Sequence, residues 1–185
     1  GENAKDQFRI WMHHINGGAG IPLTGTGLHT AAYNEIGPSP SPDGKYIFYA
    51  HGTGWKWWVK NPFWDVSRWN VRTGKVEKVL DEPLGVMNPE ISPNGKYMAY
   101  MARLGTQIEL RLRNFDTGED RQLFYPIEGD NQAIPAASGL IPEYDFTPDN
   151  KSIVFSDRGK IKKVDIASGK TRNIEFSAEV NLDLG

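Results

Sequence analysis

The chain has 185 residues, with 21 Lys and Arg against 23 Asp and Glu, a formal net charge of −2, and no Cys. That balance excludes a phosphate-driven nucleic-acid binder, and the missing Cys excludes disulfides and thiolate chemistry. No apolar run approaches the roughly 20 residues of a membrane helix, and 24% charged with 38% hydrophobic residues is ordinary for a folded domain. In chain order, Gly1–Asp6 is polar and has no signal-peptide core, but a removed presequence would leave the same start. Residues 7–24 read as two strands around Asn16-Gly17-Gly18-Ala19, with Phe8, Ile10 and Met12 as an apolar stripe. Short aromatic or β-branched runs follow at 45–50, 97–101 and 152–155, each bounded by turn residues. Ile108–Arg113 alternates strictly, the pattern of a half-buried strand. Twenty Gly and 12 Pro, scattered throughout, leave little room for helices. The chain reads as all-β.

Three segments repeat. Ser41-Pro42-Asp43-Gly44-Lys45, Ser92-Pro93-Asn94-Gly95-Lys96 and Thr147-Pro148-Asp149-Asn150-Lys151 each precede an apolar strand. Pro presets φ at the second turn position, Asp or Asn suits the third, and Gly or Asn accepts the last. A second hairpin turn follows each of them, at Thr73-Gly74, Thr117-Gly118 and Ser168-Gly169. Each unit therefore predicts four strands. Repeat starts lie 51 and 55 residues apart, longer than the roughly 40–45 of a WD-type blade. The expected architecture is a β-propeller of four-stranded antiparallel blades within one domain, residues 1–185. Three full blades fall near 33–80, 85–124 and 140–176, 7–24 supplies part of an earlier blade, and 178–184 starts a later one. A β-sandwich with coincidental turns is the competing fold.

The Ser-Pro-Asp-Gly-Lys turn leading into an aromatic-rich strand resembles the propeller repeat of the TolB family. Arg113–Arg121, Tyr125–Gln132 and the run from Pro142 to Leu184 resemble the TolB-like region that precedes an amidohydrolase domain in large, exported bacterial enzymes. The resemblance covers most of residues 30–185. It departs at Asn150, which replaces the turn Gly, and at the Trp-rich segment 54–64. It implies an arc of a larger propeller and a periplasmic or secreted location. It further implies a non-catalytic interaction or substrate-gating role at the N-terminal side of an amidohydrolase-type hydrolase. Its partner would be another protein or the remainder of the parent chain. Self-association through open blade edges is the matching expectation. No cofactor, nucleic-acid partner or membrane insertion is expected.

No catalytic or metal-binding residue is assigned within the chain. His13 and His14 are adjacent and point to opposite faces of a strand, so they cannot form a His-x-His chelate. No Gly-x-Ser-x-Gly elbow occurs, and Gly17–Gly20 lacks the Lys and helix of a phosphate loop. Asp43, Asp116 and Asp149 fit turn geometry better than a calcium site. Blade topology puts the long segments on one face, and recognition concentrates on long loops carried by a rigid scaffold. Candidate binding residues there are His29, Tyr33, Trp55, Trp57, Trp58, Lys60, Arg103, Asp130, Asn131 and Gln132, with Glu128 beside them. Residues 54–64 are expected to project, with one of Trp55, Trp57 and Trp58 exposed. The alternative function is an enzyme acting on glycans or peptides in the central channel. Glu35, Glu90, Glu143 and Asp145 are placed near it by their positions on the inner strands.

Overall fold

The computed structural model describes residues 9–24, 33–53, 63–128 and 143–177. These residues form no helix. A short hairpin of β1 (Trp11–Met12) and β2 (Ile21–Pro22) comes first. Three four-stranded antiparallel sheets follow. Blade one contains β3 (Tyr33–Pro40), β4 (Tyr46–Thr53), β5 (Phe63–Asn70) and β6 (Val76–Asp81). Blade two contains β7 (Val86–Ile91), β8 (Tyr97–Leu104), β9 (Gln107–Asn114) and β10 (Asp120–Ile127). Blade three contains β11 (Tyr144–Phe146), β12 (Ser152–Asp157), β13 (Lys160–Asp165) and β14 (Thr171–Asn173). In each sheet the strands lie in sequence order, so every connection within a blade is a hairpin.

The repeated turns make that topology local. In the first turn of each blade, the third residue caps the hairpin. Asp43 Oδ1 accepts the Ser41 hydroxyl at 2.7 Å and the Lys45 amide at 3.0 Å. Asn94 and Asp149 do the same in the next two blades. The last turn residue is left-handed, with φ of 68° at Gly44, 71° at Gly95 and 60° at Asn150. In the second turn, Asn70, Asn114 and Asp165 accept backbone amides two or three residues on. These three residues, and not Asp116, carry the turn chemistry.

Two apolar layers join the sheets. Between blades one and two lie Phe48, Val66, Leu80, Val86, Ile91, Met98, Tyr100 and Ala102. Between blades two and three lie Ala99, Met101, Leu110, Leu112, Phe146, Ile153, Phe155 and Val164, among others. Along Ile108–Arg113 the alternation holds: Ile108, Leu110 and Leu112 are buried, and on the other face Arg111 and Arg113 are half-buried. Glu109 is 6% exposed. Its carboxylate accepts Arg111 Nη1 at 3.0 Å, and Arg111 Nε reaches Asp120 at 3.0 Å. The alternation there separates a buried apolar face from a half-buried one held by an ion-pair network. The expected stripe at the N-terminus also needs correction: Ile10 is buried, Met12 is exposed, and Phe8 lies outside the described residues.

Candidate functional site

The inner strands carry an irregularity that turn chemistry alone does not announce. In β3, Ile36 pairs with Ala50 and Ser39 with Phe48, so one extra residue bulges out. In β7, Met87 pairs with Met101 and Glu90 with Ala99, the same bulge one blade later. Each bulge places a residue with positive φ before a proline: Gly37 (φ 61°) before Pro38, and Asn88 (φ 51°) before Pro89. Pro has no amide to donate, so it tolerates the break in the ladder, and a bulge re-aims the side chains beyond it.

These bulges open a cleft of about 720 Å³ along the inner strands of all three blades. Ile36, Pro38, Pro89, Val154 and Ile161 give it apolar walls, and Asn88, Glu90, Glu143 and Asp145 give it polar groups. Its polar side is ordered by hydrogen bonds between blades. The Ser39 hydroxyl donates to Glu90 Oε1 at 3.2 Å and accepts the Ile91 amide at 2.9 Å. The Tyr144 hydroxyl donates to the Asn88 carbonyl. Ser39, Glu90 and Asp145 occupy equivalent places, two residues before the repeated turn.

Burial pushes the Glu90 carboxyl up to about 7, and the negative charge of Asp145 adds to the rise. Burial also raises the Tyr144 hydroxyl well above the usual phenol range, and Glu90 contributes to that. The cleft therefore penalises a second negative charge and favours a proton or a cationic group beside Glu90.

Of the inner-strand carboxylates, Glu90, Glu143 and Asp145 line this cleft. Glu35 does not: it faces the N-terminal hairpin. Of the long-loop candidates, Arg103 sits near the end of β8, paired with Ile108, and its amide donates to the Gly85 carbonyl. Tyr33 is the first residue of β3, opposite Thr53. Glu128 donates its amide to Asp157 Oδ1 at 2.9 Å, a tether between blades two and three. His29, Trp55, Trp57, Trp58, Lys60, Asp130, Asn131 and Gln132 lie outside the described residues, as do residues 54–62 of the expected projection 54–64; its last two residues belong instead to β5, where Trp64 is buried. Among the described residues, no group of three or more His, Asp or Glu is placed to hold a metal ion. Sequence reasoning missed Ser39, Asn88 and Tyr144. The dipeptides Gly37-Pro38 and Asn88-Pro89, at matching repeat positions, were the available signal.

No family model matches the chain, and no curated protein matches it in sequence. Solved structures do resemble it. TolB from Acinetobacter baumannii is 18% identical at a TM-score of 0.66, over 90% of this chain and 37% of that one. A TolB-type protein from Agrobacterium tumefaciens is 15% identical at 0.65, over 92% of this chain and 57% of that one. A puromycin hydrolase is 16% identical at 0.61, over 89% of this chain and 27% of that one. The chain thus spans between about a quarter and three fifths of each of these proteins. The residue-level repeats, the three stacked sheets and these likenesses agree: the fold is that of a partial, TolB-like β-propeller.

Proposed function

We propose that this chain is a non-catalytic interaction module whose inner-strand cleft receives a polypeptide segment. The segment comes from a partner protein or from the remainder of a longer parent chain. The cleft carries this reading. Its volume is in the range that takes a few side chains, its walls mix apolar and polar groups, and its carboxylates select a basic residue. Ser39 already engages Glu90 and the Ile91 amide, so it is a fixed structural donor and no free nucleophile. The parent we envisage is an exported, periplasmic or secreted hydrolase of the amidohydrolase type, with the arc gating or docking its substrates. The likeness to a puromycin hydrolase of which the chain spans 27% is in keeping with a propeller arc inside a larger enzyme.

Calorimetric titration with capped pentapeptides tests the cleft. A central Lys or Arg should bind, a central Glu should not, and Glu90→Gln with Asp145→Asn should abolish the difference. Equal binding of basic and acidic peptides, or none of either, would count against the reading. One observation favours a second reading, an enzyme acting on glycans or peptides. A carboxyl held near 7 beside another carboxylate is the arrangement of a general acid and its partner. Turnover of amide or glycoside substrates, lost in Glu90→Gln, would establish that alternative.

A further inference from the structure

One row of equivalent positions runs across each blade, from inner to outer strand. In blade one it is Ser39, Phe48, Arg68, Glu77. In blade two it is Glu90, Ala99, Leu112, Arg121. In blade three it is Asp145, Val154, Lys163, Arg172. The charged groups of the first two rows have partners. Arg68 pairs with Glu77 at 2.7 Å. Glu90 accepts the Ser39 hydroxyl at 3.2 Å, and Arg121 Nη2 donates to the Ile166 carbonyl of blade three.

The third row differs. Asp145 and Arg172 are exposed, and among the described residues neither forms a side-chain hydrogen bond or ion pair. Lys163 stands directly opposite Arg172, a like-charge pair that a sheet tolerates poorly. The row thus carries an acid at one end and two cations at the other. Val154 lies between them, and Ile161 and Ile174 pair in the next row.

We propose that this face of blade three packs on the same face of a second copy, about a twofold axis that lies between the two sheets and parallel to their strands. That axis reverses the row. Asp145 meets the second copy's Arg172, and Arg172 meets the second copy's Asp145. Val154 lies under the aliphatic stem of the second copy's Lys163, and Ser156 meets Ile161. Facing sheets stand about 10 Å apart, a gap that an Arg and an Asp side chain span together. With strands about 4.8 Å apart, the two reciprocal ion pairs sit roughly 14 Å from each other and flank the apolar centre. An isologous contact of this kind closes at two copies.

Sedimentation velocity of charge-reversed 185-residue chains, each with unchanged circular dichroism, tests the pairing. Asp145→Arg and Arg172→Asp should each weaken self-association at least about tenfold, because each sets two like-charge contacts in the dimer. An equimolar mixture of the two variants should restore association, since both contacts of the mixed dimer are again opposite in sign. Losses in both variants without recovery in the mixture would put the second copy elsewhere and overturn the twofold. Unchanged association in either variant, or a monomeric unaltered chain, would overturn it too. Arg172 does not line the cleft, so Arg172→Asp should leave binding of basic peptides intact, and the cleft reading fails or stands independently.

Discussion

Gly52 and Asn150 show how much a single side chain, or its absence, settles here. A Cβ on Gly52 would lie 2.9 Å from the indole of Trp64, which is 5% exposed and cannot swing out freely. Gly52→Ala should therefore cost roughly 1–3 kcal/mol in urea unfolding, the usual range for forcing atoms into a packed layer. Asn150 stands where the other two turns have Gly, with φ of 60°. Its Oδ1 accepts the Asn94 amide at 2.8 Å, which links the turns of blades two and three. Asn tolerates the left-handed region and Ala does not, at roughly 1–2 kcal/mol. Both substitutions lose the link and the bond from Asn150 Nδ2 to the Pro148 carbonyl, so Asn150→Ala should destabilise more than Asn150→Gly by the strain alone; equal losses would show that backbone strain is unimportant there. The turn residues were legible because their chemistry is contained within five positions. The Asn94 link was not, since it joins residues 56 apart.

At the scale of the strand, the repeat predicted which segments pair, while the partners across each face came only from the fold. Tyr100 illustrates this. From sequence it is one aromatic residue in an apolar run. In the blade its hydroxyl donates to Asp120, at 2.8 and 2.7 Å to the two carboxylate oxygens, and accepts Arg111 Nε at 3.0 Å. Tyr100→Phe takes one partner each from the half-buried Arg111 guanidinium and Asp120 carboxylate, which still hold each other, and should cost about 1 kcal/mol. The inner strands make the same point for the site. Glu90 and Asp145 could be placed near the channel by counting residues from the repeated turn. The bulges that open the cleft depend on main-chain geometry, which period-two patterning does not record. Glu90 carries a prediction of its own. Its folded-state carboxyl stands near 7 against an ordinary value of 4.5. Its contribution to stability is fully present below that ordinary value and is lost as pH rises through 7. Denaturant midpoints should fall between pH 4.5 and 7.5 more steeply than in Glu90→Gln, and parallel curves would contradict the assignment.

Across the whole molecule, what matters is how the arc ends. The face that blade one turns to blade two holds Phe48 and Val66, and the corresponding face of blade two holds Ala99 and Leu110, all buried. By register, the same places on blade three are Val154 and Ile161. Val154 is half-buried and Ile161 is 37% exposed, with Lys163 and Arg172 beside them on the same face. An apolar strip between cations, at a site where the other blades bury theirs, fits a surface that packs on further sheet. We propose an open arc that takes another copy of the chain there when tested alone. Residues 178–184, expected to begin the next unit, lie outside the described residues, so pairing between them and 7–24 stands as the competing arrangement. Sedimentation velocity of the isolated 185-residue chain across a concentration series separates the two. The arc predicts concentration-dependent association, reduced by Ile161→Lys and less sensitive to Trp11→Lys on the hairpin. A strictly monomeric species at high concentration, with the amides of 178–184 protected from exchange, would establish a closed ring.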